Sequence, residues 1–268
     1  MLRFDANLTM LFNEVDFIER FERASRAGFK GAELLFPYGW KKEELAEKSD
    51  RYGLELVLHN LPPGDWSAGE RGTACLPGRE GEFQDSVGLA IEYAKALKCP
   101  RLNCLVGLTP KDVPADRVRR TLVDNLRFAA VALEKEGIHL LVEALNDKDI
   151  PGFYLTRTRD VLQLIKEVNH PNLWIQYDIY HMQIMEGNLT TTILDNLTRI
   201  DHIQLGDNPG RHEPGTGEIN FTNLFRFIDE AGYDGWIGLE YKPAGVTEDG
   251  LGWVKPYLKE LIDSANLR

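Results

Sequence analysis

The sequence predicts an α/β fold, a single (β/α)8 barrel over residues 1–268. Three observations lead there. Strand-like and helix-like segments alternate strictly along the chain, eight of each. Several helices close on a glycine, which takes the left-handed conformation and releases the next strand. The turn after the first strand, Leu8-Thr9-Met10-Leu11-Phe12, contains no glycine, whereas an open doubly wound sheet advertises a Gly-rich turn there.

Taken in order, strand one is read at Arg3–Leu8 and the first helix at Asp16–Ala27, closed by Gly28. Strand two follows at Gly31–Phe36, then a helix at Lys41–Tyr52 closed by Gly53, then strand three at Leu54–Asn60. A long helix at Glu80–Leu97 precedes strand four, Arg101–Val106. The helix Ala115–Glu136 ends on Gly137 and leads into strand five, Ile138–Leu145. Thr158–Val168 is helical before strand six, Leu173–Asp178, and Leu189–Leu197 before strand seven, Asp201–Leu205. Phe221–Ala231 closes on Gly232 ahead of strand eight, Gly235–Glu240, and a last helix is expected at Asp249–Ser264. The strands are short apolar, β-branched runs; the helices are ten-to-twenty-residue segments of 3.6 periodicity. No repeat, low-complexity tract or linker marks a second domain.

Composition narrows the function. Hydrophobic residues at 43% and charged residues at 27% are ordinary for a globular chain. The net charge of −11 disfavours nucleic acid as a partner, because phosphate backbones are repelled. The longest apolar run, Phe128 to Leu133, is far short of a bilayer span, so no membrane partner is expected. No basic-then-apolar leader precedes Asp5, and Cys75, Cys99 and Cys104 form no C-x-x-C or even-numbered framework, so a reducing, cytoplasmic setting is expected. The sequence leaves homo-oligomerisation open.

In such a barrel the active site lies at the carboxyl ends of the strands. Four consecutive late strands end in oxygen-bearing side chains: Glu143, Asp178, Gln204 and Glu240. A carboxylate at the end of a buried strand is costly unless paired or bound to a cation, and three together require positive charge among them. Hard oxygen donors suit Mg²⁺ or Mn²⁺ better than a zinc site rich in Cys and His. The quartet is therefore the expected metal site. His181, three residues past Asp178 in the loop above strand six, is placed to polarise a carbonyl or hold an enediolate oxygen. Lys242 shares the strand parity of Glu240 and suits a substrate carboxylate, and His59 at the end of strand three is a further substrate contact. His202 is expected one layer below Gln204, buried and hydrogen-bonded. Two long loops frame the site. The loop after strand three carries Trp66, which would exclude water, and Arg71, which like Arg211 in the loop after strand seven would bind an anion. Gly215-x-Gly217 is no dinucleotide fingerprint, since Asn220 stands where the third glycine would fall.

An ordered set of motifs carries a family resemblance. They are Arg3-Phe-x-Ala6-Asn7-Leu8-Thr9-Met10-Leu11-Phe12, Pro63-Gly64-Asp65-Trp66-x-Ala68-Gly69-Glu70-Arg71-Gly72 and Pro77-Gly78-Arg79-Glu80. Later come Ile175-Gln-Tyr-Asp178-Ile-Tyr-His181-Met-Gln183-x-Met185-Glu-Gly187-Asn-Leu-Thr190, His212-Glu-Pro-Gly-x-Gly-Glu-Ile-Asn220 and Gly238-x-Glu240-Tyr-Lys242-Pro243. Together they resemble the hydroxypyruvate isomerase family, within the xylose isomerase-like TIM barrel superfamily, from residue 3 to about residue 257. The resemblance implies an aldose–ketose isomerase acting on a small sugar acid, with metal ligands at Glu143, Asp178, Gln204 and Glu240. It implies that Glu143 and Glu240 are the catalytic acid–base pair. Gln204 stands where many sugar epimerases of the superfamily carry His, and Ala144-Leu145-Asn146 where many have Pro-x-Asn. The Ala is shared with the sister group of 2-oxo-tetronate isomerases, which with ketose 3-epimerases is the alternative within the enzyme class. An abasic-DNA endonuclease and a non-catalytic sugar-acid-binding barrel are the alternatives outside it.

Overall fold

The computed structural model describes residues 1–258 and shows a closed barrel of eight parallel strands in sequential order, β1 to β8, with β1 paired to β8. The strands are β1 (Arg3–Asn7), β2 (Gly31–Leu34), β3 (Glu55–Asn60), β4 (Arg101–Cys104), β5 (His139–Glu143), β6 (Leu173–Asp178), β7 (Ile200–Leu205) and β8 (Trp236–Leu239). All eight predicted strands are present. Most are trimmed at the carboxyl end, because the last predicted residues leave the ladder to enter the loops that build the site.

The helices are α1 (Arg20–Ala27), α2 (Lys42–Tyr52), α3 (Glu80–Leu97), α4 (Ala115–Glu134), α5 (Thr158–Val168), α6 (Ile179–Met185), α7 (Leu189–Asn196), α8 (Phe221–Glu230) and the short α9 (Thr247–Gly250). Gly28 and Gly53 hold φ of 103° and 65° just past α1 and α2, as the helix-stop reading requires. The first predicted helix is split: Phe17–Glu19 is a 3-10 turn, and the α-helix begins only at Arg20. The last predicted helix starts differently. α9 and a 3-10 turn at Leu251–Trp253 precede helical residues 255–258, and the rest of Asp249–Ser264 lies outside the described residues.

One helix was not expected. His181 is not in a loop: it sits in the first turn of α6, directly after β6. The cause is Asp178, whose Oδ1 accepts from the backbone N–H of Tyr180 at 2.7 Å and of His181 at 3.3 Å. A carboxylate that satisfies the orphan donors of a helix start is a strong N-cap. Asn220 plays the same part for α8, accepting from Asn223 N at 3.1 Å.

Alternate residues of each strand face the helices and the barrel axis. Phe4 faces outward and meets the rings of Phe225, Trp253 and Tyr257 at 5.2, 5.6 and 4.9 Å. The barrel floor is closed by Trp236, which is 4% exposed and clusters with Val57, Leu58 and Leu141. Gly31 makes room for it, since a Cβ there would lie 2.8 Å from the Trp236 ring. Beneath, Asp201 holds Arg101 and His139, each at 2.9 Å. Cys75, Cys99 and Cys104 are buried and unpaired. Among the described residues no helix is long and apolar enough to cross a membrane.

The two framing loops are ordered by specific contacts. Gly72, at φ 111°, lies so close to strand β4's exit that a Cβ would overlap the carbonyl of Leu105. The loop after β7 winds around Asp207, whose carboxylate accepts from the backbone N–H of Asn208, Gly215, Gly217 and Ile219. Lys242 N then bonds Arg211 O at 2.7 Å, which suspends Arg211 over the open end of the barrel.

Candidate active site

At the carboxyl ends of the strands a cavity of about 700 Å³ opens. Glu143 and Glu240 form part of its floor, His181, Arg211 and Lys242 one flank, and Trp66 and Arg71 the rim. Asp178 and Gln204, at 1% and 0% exposure, lie just beneath. Of the residues singled out in the sequence, His59 lies away from the cavity. It is buried behind the wall, beside Tyr38 at 3.3 Å from its hydroxyl, with Nδ1 3.1 Å from Asn60 O. Strand alternation turns Asn60, not His59, to the axis, and burial pushes the His59 imidazole down to about 4.

The carboxylates converge. The register of β6 on β7 sets Asp178 beside Gln204. Glu143 Oε2 accepts from Asn103 Nδ2 at 3.1 Å and Gln176 Nε2 at 2.9 Å. Burial, then the charges of Glu240 and Asp178, raises the Glu143 carboxyl well above the ordinary carboxylate range. Glu240 is pushed up to about 8, chiefly by burial, against the opposing pull of Arg211. Arg211 supplies the positive charge that the acids require. Its guanidinium lies 3.0 Å from both Asp178 Oδ2 and Glu240 Oε1, and stacks 4.9 Å from the Tyr180 ring. These contacts hold it firmly cationic.

His181 is neutral, its imidazole pushed down to about 4 by burial. Its tautomer follows from the backbone: Asn146 N–H donates to Nδ1 at 3.1 Å, so the ring proton is on Nε2, 3.6 Å from Asp178 Oδ2. Arg71 lies 3.7 Å over the Trp66 ring and bonds the carbonyls of Trp66 and Glu70. Trp66 is 43% exposed and packs on Phe36, so the pair forms an exposed edge, not a floor. Among the described residues no hydrogen bond or ion pair holds the ammonium of Lys242.

Two groups could hold a metal ion. Glu143, Asp178 and His181 each present one ligand atom within 4.8 Å of the others, and so do Asp5, Glu33 and His202 deeper in the barrel. The first group is mostly hard oxygen donors at the cavity floor, and Asp178 already draws in a guanidinium, so it fits a divalent cation. In the second, His202 Nε2 lies 2.6 Å from Glu33 Oε2, which leaves no space for an ion between them.

Sequence reasoning missed the other half of the site. Asn7, Glu33, Asn60, Asn103, Gln176 and Asn146 are buried polar residues that surround the quartet, and the exposed Asp149 accepts from Asn146. The signal was present: Asn7, Glu33, Asn60 and Asn103 are polar residues at or near the ends of buried strands one to four, the pattern used to find the quartet on strands five to eight.

A closed parallel barrel with an acidic cluster at its carboxyl end defines a class. The xylose isomerase-like TIM barrel family model matches residues 21–257, and the chain belongs to that family. Two curated relatives that match nearly the whole chain are named isomerases. The chain is 56% identical over 257 residues to hydroxypyruvate isomerase of Escherichia coli (strain K12), covering 96% of this chain and 100% of that protein. It is 46% identical over 258 residues to a 2-oxo-tetronate isomerase of Cupriavidus necator, covering 96% and 99%. A crystal structure from Brucella melitensis, described as an AP endonuclease of family 2, superposes with a TM-score of 0.94 at 45% identity, covering 96% and 99%. The chain is an enzyme of the aldose–ketose isomerase type.

Proposed function

We propose that the enzyme interconverts hydroxypyruvate and tartronate semialdehyde (2-hydroxy-3-oxopropanoate). The observation that carries this is the pair of buried glutamates with raised pKa, Glu143 and Glu240, on the floor of a cavity whose flank carries the unpaired Lys242. The reaction moves one carbon-bound proton and one hydroxyl proton. The first leaves C3, and the electrons form a C2–C3 double bond with the negative charge on the C2 oxygen; the C3 hydroxyl proton passes to that oxygen, and a proton is returned to C2 as C3 becomes the aldehyde. A base and an acid near adjacent carbons are needed, and carboxyls raised above their ordinary range suit both tasks. Glu143 and Glu240 take these parts from strands three places apart. His181, with its proton on Nε2, donates to an oxygen of the enediolate. Lys242 binds the carboxylate, with Arg71 and Arg211 adding positive potential, and Trp66 shields the cavity from water. We propose that Glu143, Asp178, Gln204 and Glu240 hold Mg²⁺ or Mn²⁺, which when bound supplies Lewis-acid stabilisation of developing oxygen charge.

Kinetics on hydroxypyruvate and on a 2-oxo-tetronate test this reading. A kcat/KM at least tenfold higher on hydroxypyruvate supports it; the reverse preference moves the enzyme to the four-carbon acids. Loss of Lys242 tests the substrate's carboxylate. Lys242→Met removes a charge-assisted hydrogen bond of about 1.5–3 kcal/mol, so KM should rise about ten- to a hundredfold with kcat little changed. An unchanged KM would assign the carboxylate to another cation.

Cation binding should release protons. Glu240, at about 8 in the folded chain against an ordinary 4.5, is mostly protonated at neutral pH and must ionise to act as a ligand. The sign for stability follows: this group's contribution is full below pH 4.5 and is lost as pH rises through about 8. Calorimetric titration with Mn²⁺ in buffers of different ionisation enthalpy should therefore show about one proton released near pH 7, and affinity rising with pH. A binding heat independent of buffer would contradict the role of Glu240 as ligand.

The family-2 endonuclease description of the Brucella protein raises a second reading. Abasic-DNA cleavage would call for several zinc ions held by histidines and a basic groove, whereas each metal-capable group among the described residues holds one His and the chain carries a charge of −11. Cleavage of an abasic duplex in the presence of Zn²⁺ would revive it.

A further inference from the structure

The orientation of the Gln204 amide is dictated by groups that can only donate. Asn7 Oδ1 accepts from the backbone N–H of Thr9 at 3.0 Å and of Met10 at 3.2 Å. Its Nδ2 is therefore the end turned to Glu33, 2.8 Å from Oε1. Glu33 Oε1 is thus an acceptor, and Gln204 meets it with Nε2 at 2.8 Å. That leaves Gln204 Oε1 on the opposite side, 2.6 Å from Gln176 Nε2, which also donates to Glu143 at 2.9 Å. A flipped Gln204 would set oxygen against oxygen at Glu33 and NH2 against NH2 at Gln176, two buried mismatches. Glu33 is itself fixed: its Oε2 meets His202 Nε2 at 2.6 Å, and it is fully buried. Gly238 on β8 makes room for it, since a Cβ there would lie 2.5 Å from Glu33 Oε2.

We infer that Glu33 is a positioning residue for the reaction: from β2, on the far side of β1, it fixes the polarity of the Gln204 amide so that the oxygen, not the nitrogen, is offered on the side of Gln176 and Glu143. The inference rests on the reading that Glu143, Asp178, Gln204 and Glu240 hold a divalent cation. An amide presents a ligand to a hard cation only through its oxygen, so a freely flipping Gln204 is a ligand for part of the time. Glu33 touches neither substrate nor cation; it acts through Gln204, and the direction of the whole chain of amides is set by the backbone of the turn after β1.

The test is a double-mutant cycle read by Mn²⁺ calorimetry, with kcat and KM on hydroxypyruvate alongside. Glu33→Met, which has no acceptor at the carboxylate position, should weaken Mn²⁺ about tenfold to a hundredfold. In a Gln204→Met background the same change should cost nothing further. Glu33→Gln keeps an oxygen for Asn7 and Gln204 and an NH2 for His202, and should hold Mn²⁺ affinity within about threefold of wild type, well short of that loss. Wild-type affinity in Glu33→Met, an equal loss with and without Gln204, or a large loss in Glu33→Gln would each overturn the inference. If the wild-type protein takes up no Mn²⁺, the metal reading itself has failed. The Glu33–Gln204 coupling is then read from Tm in the same cycle, where additive losses overturn the positioning role and non-additive losses support it.

Discussion

Glu240→Gln is expected to lower kcat on hydroxypyruvate by about 10²- to 10⁴-fold, the usual contribution of a positioned general acid or base. The substitution is isosteric, and the amide oxygen can still accept from Arg211, which lies 3.0 Å from Glu240 Oε1. What disappears is the ability to carry a proton. Stability should move the other way. Because burial raises the Glu240 carboxyl to about 8, its ionised form is the costly one in the folded chain. The neutral amide mimics the protonated form, so at pH 8 and above, without added metal, the variant should melt no lower than wild type. Loss of turnover with retained or increased Tm would mark Glu240 as a functional group held at a cost to folding. A parallel fall of both would make it a structural residue.

Arg211→Met should give the largest loss of stability. Arg211 is the cation shared by Asp178 and Glu240, and its side chain is only 16% exposed. Removing one partner of a buried ion pair leaves uncompensated charge and costs about 3–5 kcal/mol. In a chain of this size that corresponds to a fall in Tm of roughly 6–20 °C, at about 2–4 °C per kcal/mol. The loss should shrink on adding Mn²⁺, which replaces the missing charge. A melting curve within 2 °C of wild type, read by tryptophan fluorescence at neutral pH, would show that the acids are balanced elsewhere (~1 kcal/mol or less).

Much of the fold was legible because alternation and helix-stopping glycines are local signals. The eight strands and the caps at Gly28 and Gly53 follow from them. α6 was not legible, since Asp178 was weighed as a metal ligand and its second capability, capping the helix that follows, was left unused. The same holds at the site. Glu143, Asp178, Gln204 and Glu240 could be read from polar strand ends, and they do come together. His59 could not be placed, because a single-residue choice between it and Asn60 decides which faces the axis. Arg211 was visible only as a cation in a Gly-rich loop. Its position among the acids depends on the Asp207-centred winding of that loop, a three-dimensional fact with no local pattern.

The central claim is that two glutamates move a proton between adjacent carbons through an enediolate. Turnover of unlabelled hydroxypyruvate in D₂O, followed by NMR, tests it most directly. The account predicts product carrying deuterium at C2, formed at a rate that collapses in Glu240→Gln. Product with no solvent deuterium at C2, formed as fast by Glu240→Gln as by wild type, would mean that hydrogen passes directly from carbon to carbon without these side chains, and would contradict the account.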